Sequence, residues 1–241
     1  MDLTLLELLQ GTFSLIWAII AIIVGLRIMY KAFSLKRNEL ILVGLCWILV
    51  SSAWWGSCIS FLLYILFGFT LNAFWYFFID FVFIPGALVC WIYSFCHILY
   101  PKLKKKLLGM YIPICIIWEV ALIYFLCTDI EIIGTVGGKF NTQHNLLSII
   151  FILFAILTVL ITGSIFSIKS IQSDDPVIKW KGIFLLYAFL AFTLGAFIDA
   201  VLPVTAITIV LARLILISSA IGYYLGFFLP ESFAKFLIKS S

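Results

Sequence analysis

Apolar residues in this chain come in long unbroken runs, without the alternation of a strand or the three-and-four rhythm of a surface helix. Seven runs lie near 8–30, 39–64, 71–98, 107–127, 146–168, 182–202 and 204–228. Crossing roughly 30 Å of hydrocarbon at about 1.5 Å per residue takes about twenty residues, which each run supplies. Strands of a membrane barrel alternate over about ten residues, so these runs predict helices. The last two are separate spans, because 182–228 is about twice one crossing and Pro203 falls between its halves. The pattern predicts an all-α, polytopic integral membrane protein: one seven-helix domain over 1–228, then a short amphipathic tail at 229–241.

Composition points the same way. The chain is 65% hydrophobic and 11% charged, with mean hydropathy +1.26. Soluble domains average about half apolar and about a quarter charged. The basic residues divide unevenly between the two sets of loops. Arg27, Lys31, Lys36, Arg37, Lys102, Lys104, Lys105, Lys106, Lys169, Lys179, Lys181, Lys235 and Lys239 share one side. The other side holds Lys139 with Asp2, Glu7, Asp129 and Glu131. Cytoplasmic loops carry such an excess, so the amino terminus is expected outside and the carboxyl terminus in the cytoplasm of a cell-membrane protein. A net charge of +4 then needs the anionic bilayer face and no nucleic acid. Asp2 and Glu7, where a signal peptide would be basic, leave the first run to be read as the first helix of the mature protein.

Little familiar chemistry fits. The six cysteines (Cys46, Cys58, Cys90, Cys96, Cys115 and Cys127) form no CxxC pair and read as small apolar fillers. His97 and His144 fall near opposite faces, too far apart to share a metal. HExxH, GxGD and Pro-Gln motifs are absent from the sequence, and so is a lysine in the last span for a Schiff base. No catalytic residue, metal or cofactor is assigned. The longest loop on the acidic side, "TDIEIIGTVGGKFNTQHN" at 128–145, is either a lid or a connector. "SIQSDDPVIKWKG" signals a helix start, with Ser173 before acids and Pro176 early in the helix. The tail "PESFAKFLIKSS" puts Phe233, Phe236 and Leu237 on one side and offers Lys235 and Lys239 to headgroups.

The informative residues are charges inside the spans, where charge is costly and demands partners. Helix rise places Asp80 about 14 Å, Glu119 about 12 Å and Arg213 about 14 Å from the outer ends of three spans, with Asp199 at roughly 6 Å. A layer of Asp80, Glu119 and Arg213 with Asp199 above is therefore expected. Trp54, Trp55 and Trp118 lie near that depth, and Ser52, Gly56 and Ser60 form a small stripe on the second span. Ala191, Gly195 and Asp199 make a second small face, expected against the seventh span. Pro85 and Gly86, a turn past Asp80, predict a kink. The tripeptide FID occurs at both Asp80 and Asp199, but depths roughly 8 Å apart argue against a paired-aspartate hydrolase.

Three readings of the layer stay open: structural pairing alone, a ligand or ion pocket built from Asp80, Glu119, Arg213, Asp199, Trp54, Trp55 and Trp118, or a proton path. Three carboxylates to one guanidinium favour a cationic or zwitterionic ligand. Seven spans, a basic loop after the third and "DDPVIKWKG" leading into the sixth resemble, in topology, the seven-helix sensory domains at the amino termini of microbial histidine kinases. That resemblance implies an outer-side sensor and carries no residue roles. Because the sequence ends at Ser241 without a kinase, output through a separate cytoplasmic effector is expected. The partners expected are thus the lipid bilayer, a small ligand from the outer side, and that effector. A small secondary transporter or channel is the alternative, and an intramembrane enzyme ranks third.

Overall fold

A computed structural model describes residues 3–239. Asp2, counted above with the acidic side, lies outside the described residues, as does Ser241. Seven helices are long and apolar enough to cross a membrane: α1 Leu5–Ser34, α2 Asn38–Phe67, α3 Ala73–Leu99, α4 Pro101–Thr128, α5 Leu146–Ile171, α6 Pro176–Val201 and α7 Ala206–Phe227. A short helix, α8, follows at Glu231–Lys239. The chain is an all-α, multi-pass membrane protein.

Local chemistry sets the helix ends. Thr4 Oγ1 accepts the Glu7 N–H at 3.2 Å while the Glu7 carboxylate accepts the Thr4 N–H at 2.9 Å, a reciprocal cap that starts α1 ahead of the apolar run. Thr205 and Thr208 cap α7 in the same way. The cap of α6 is Asp175, whose Oδ1 accepts the Val177 N–H at 2.7 Å; Ser173 only accepts the Asp175 N–H one step earlier. Pro176 follows as the first helical residue, where its missing N–H costs nothing. α6 therefore begins six residues before the apolar run at 182.

Two spans expected to be continuous are broken. α2 passes through one 3₁₀ turn at Ser51–Trp54 between α-helical halves Asn38–Val50 and Trp55–Phe67. α3 divides into Ala73–Phe81 and Ile84–Leu99. Pro85 stands in the first turn of the second half instead of kinking a continuous helix. A proline lacks the N–H that a helix interior uses and is tolerated where that donor has no intrahelical partner. The two breaks adjoin: Gly56, just past the first, donates its backbone N–H to Asp80 Oδ1 at 2.7 Å, just before the second.

α1, α2, α3, α5, α6 and α7 pack in that cyclic order, and α4 leans on the outside of α3. Aromatic rings fill the centre, with Trp17 edge-on to Trp54 at 5.5 Å and Trp47 stacked on Tyr223 at 4.1 Å. A second core joins α3, α4 and α5 around Phe81, Trp118 and Phe151. The 128–145 loop holds the only strands among the described residues, β1 Gly134–Val136 paired antiparallel to β2 Thr142–His144. In α8, Ala234 is buried and Phe233 lies 6.0 Å from Phe184, while Phe236 stays exposed.

Candidate functional site

Small residues let α2 and α3 approach closely enough to place Asp80. A Cβ added to Gly56 would stand 2.6 Å from the Tyr76 ring and 2.7 Å from Asp80 Oδ1. Only glycine leaves that backbone N–H open to the carboxylate. One turn earlier, Ser52 Oγ lies 3.5 Å from the Asp80 carbonyl, and Ser60 Oγ accepts the Leu71 N–H at 3.2 Å. The stripe of Ser52, Gly56 and Ser60 is thus the seam between the two helices.

Arg213 and Asp199 face each other across α6 and α7. Gly195 permits the contact, since a Cβ there would sit 2.8 Å from Leu216. Side chains tilt toward the amino end of their own helix. The helices are antiparallel, so Arg213 leans toward the α6–α7 turn and Asp199 leans away from it. That tilt, with the length of the arginine stem, closes the axial gap expected from helix rise. Arg213 Nη1 lies 2.7 Å from Asp199 Oδ1, and Trp54 Nε1 donates to Asp199 Oδ2 at 2.6 Å. Arg213 Nη2 donates to Ser14 Oγ at 3.3 Å, and the guanidinium carbon sits 5.6 Å from the Trp54 ring centroid. Arg213 is fully buried, whereas the Asp199 side chain keeps 24% of its surface.

These groups line two adjoining cavities. A polar one of about 40 Å³ is walled by Arg213, Asp199, Asp80, Tyr76, Gln10 and His144. An apolar one of about 80 Å³ lies between Trp91, Phe81, Phe192, Ile84, Ile156 and Val159. Ala53, Trp54, Asp80, His144 and Asp199 border both, so the two cavities share a wall and make up a two-part chamber.

The β-hairpin closes the polar end. Phe140, at its tip, is buried against Phe61 at 5.3 Å and Tyr64 at 5.8 Å. Its carbonyl accepts from Ser57 Oγ at 2.8 Å and Tyr76 Oη at 2.9 Å. Ser148 Oγ donates to the Ile133 carbonyl at 2.7 Å, and Asn145 Nδ2 donates to the Glu131 carbonyl. The loop is thus packed onto the helices, and Asn141, Thr142 and His144 form one wall of the polar cavity. It delivers His144 to the chamber, with the imidazole edge-on to Phe81 at 5.4 Å. Burial holds the His144 pKa below the ordinary histidine value, with the Asp199 carboxylate opposing.

Three of the expected site residues stand elsewhere. Glu119 is half-buried on peripheral α4, borders neither cavity, and has no hydrogen bond or ion pair to a described residue. Its depth matches Arg213, but helix rise fixes height and says nothing of direction. The expected layer of Asp80, Glu119 and Arg213 is replaced by Arg213, Asp199 and Asp80. Trp55 turns away from Trp54, as successive helical residues must, and its Nε1 donates to Ser51 Oγ at 3.1 Å. Trp118 stacks on Phe151 at 4.0 Å in the second core. Both aspartates of the FID tripeptides border the chamber, which the depth estimate did not anticipate.

Sequence reasoning missed Gln10, Tyr76 and His144. Gln10 had a signal: a lone amide on the first span beside Gly11, Ser14, Ala18 and Ala21, a small and buried face. Tyr76 carried no signal beyond its place a turn before Asp80. Among the described residues, seven buried side-chain atoms lack a hydrogen-bond partner: the indole N–H groups of Trp17, Trp47 and Trp118 in the aromatic cores, and Gln10 Oε1, His144 Nδ1, Arg213 Nε and Arg213 Nη1 at the polar cavity, the last with only its ion-pair contact to Asp199. Buried polar groups are paired in the great majority of cases, so four such atoms at one cavity mark it as a place for a polar occupant.

The fold and this site define a seven-helix membrane protein with a polar chamber walled by its helices and the hairpin. No family model, curated protein or solved structure matches it.

Proposed function

We propose that the protein is a receptor-like, sensory membrane module that holds a small ligand in the two-part chamber and signals through a separate cytoplasmic effector. The observation that carries this reading is the chamber itself. Charged and unpartnered polar groups from α1, α3, α6 and α7 meet beside an apolar cavity, under a hairpin that supplies one wall. Pockets of that composition, apolar with a few convergent polar groups, are characteristic of small-ligand sites. The basic end of the bundle faces the cytoplasm in this proposal, so the hairpin end and the ligand lie outside. Ligand seated against His144 and Asp199 would bear on the hairpin and on α6–α7 together, which offers a route toward the basic end.

The test is affinity capture from native membranes with the hairpin end intact. Stoichiometric recovery of a cytoplasmic signalling protein, altered by ligand, is the expected result. Counterflow of a solute into proteoliposomes, without such a partner, counts against it.

That second outcome belongs to a transporter, favoured by one observation. α2 and α3 are both discontinuous, and their breaks meet at Gly56 and Asp80. Broken helices near mid-membrane frequently build transport sites. An aspartyl hydrolase is disfavoured because both Asp199 oxygens are engaged, by Arg213 and by Trp54. A working aspartate pair shares a proton between two carboxyls, and an arginine ion pair opposes that.

A further inference from the structure

We infer that the uncovered flank of α4 is a self-association surface, on which two copies of the chain pair through Glu119. An ionisable side chain inside a span is costly and almost always faces the bundle interior or a water-filled cavity. Glu119 does neither. It is half-buried on the peripheral helix, about 12 Å from the outer end of its span. Among the described residues it has no hydrogen bond or ion pair, and no charged side chain lies within electrostatic reach of it. The chain by itself leaves this carboxyl unserved.

The residues around Glu119 form a seam. α4 packs onto the second core through Cys115, Trp118, Leu122 and Leu126. Beside that face, Gly109, Ile112, Ile116, Glu119 and Ile123 succeed one another at alternating spacings of three and four residues. That alternation is the period of two helices wound side by side, with each seam residue meeting the partner helix. Ile112, Ile116 and Ile123 keep 40%, 57% and 50% of their surface, so nothing in the chain covers the seam. A Cβ added to Gly109 would meet nothing within 4 Å, which leaves room for a second backbone to come close. A single polar residue in such an apolar seam fixes the register of the pair.

Complementarity selects a second copy as the occupant. Two identical chains inserted the same way and related by an axis along the bilayer normal hold equivalent residues at equal depth. Glu119 then meets its own equivalent without any adjustment of height. A protonated carboxyl, the form that hydrocarbon tolerates, has one O–H donor and a carbonyl acceptor. Two of them satisfy each other completely. Lipid tails offer the group no hydrogen bond, and a foreign helix must bring a polar residue to that same depth.

The test measures the dimer fraction of the full chain in liposomes by energy transfer between labelled copies, over a series of protein-to-lipid ratios. Glu119→Leu is expected to weaken association about tenfold, whereas Glu119→Gln, whose amide also donates and accepts, should stay within about threefold of the parent. Neither substitution should lower the unfolding temperature of the diluted monomer, because Glu119 has no partner inside the chain; a drop in both variants would make its role internal and overturn the assignment. A second arm locates the surface. In a Cys127→Ser background, which removes the exposed native thiol, Ile116→Cys should form a disulfide-linked dimer. Ile161→Cys, equally exposed on α5, should not. The inference is overturned if the chain stays monomeric at every ratio, if Glu119→Leu associates as well as the parent, or if Ile161→Cys cross-links in place of Ile116→Cys. Recovery of a different membrane protein through Glu119, with no dimer, assigns the seam to a foreign helix and overturns it as well.

Discussion

Arg213 is the residue on which the site turns. It is fully buried, yet its charge is matched by a carboxylate at 2.7 Å, a hydroxyl at 3.3 Å and an indole face at 5.6 Å. Removing one partner of a buried pair strands the other, at about 3–5 kcal/mol. Arg213→Met should therefore destabilise the fold by about 3 kcal/mol, the lower figure reflecting the partial exposure of Asp199. Adding Asp199→Leu should recover much of the loss, which a double-mutant cycle of thermal unfolding will read. Gly56 offers a second check at this scale. Gly56→Ala pushes a methyl into Tyr76 and Asp80 and should cost about 1–3 kcal/mol. Gly109→Ala, where the new Cβ meets nothing within 4 Å, should be neutral or stabilising by up to about 1 kcal/mol.

At the scale of elements, the hairpin is the part most open to perturbation. Phe140→Ala removes a ring held between Phe61 and Tyr64 and should cost the closed hairpin about 3 kcal/mol. Amide exchange in 134–144 should then rise, while exchange in α1 and α7 should not. His144 should make the hairpin pH-sensitive. Its pKa is depressed by burial when closed and returns to about 6.5 when open. Between those values the open form binds more protons, so closure weakens as pH falls below about 6.5 and is unaffected above it. In His144→Asn the same exchange measurement should lose that dependence.

Part of this arrangement was legible in the sequence. The small stripes at Ser52–Gly56–Ser60 and Ala191–Gly195–Asp199 announced close helix contacts, and uncompensated charges announced partners. What stayed hidden was direction. Rise along a helix gives depth, so Glu119 looked equivalent to Arg213, yet α4 sits outside the ring of helices. The proline of "FVFIP" announced a disturbance in α3, though not a full break, whereas "SSAWW" holds no glycine or proline and left the 3₁₀ turn of α2 hidden. His144 could not be placed because its position depends on a hairpin packing that spacing does not encode.

For the whole molecule, a ring of six helices with α4 outside leaves a chamber beside the β-hairpin at one end and a basic rim at the other. The seven apolar spans anchor that body in a bilayer. In the proposed function, Asp80, Arg213 and His144 serve a bound molecule as well as holding helices together. The most direct measurement is a small-molecule stabilisation screen on the protein in nanodiscs, repeated on Asp80→Asn and His144→Asn variants that retain their fold. Compounds that raise the unfolding temperature of the parent chain are expected, and they should lose that effect in both variants. The proposed function is contradicted if the substitutions change folding alone, with every stabilising compound acting equally on parent and variants.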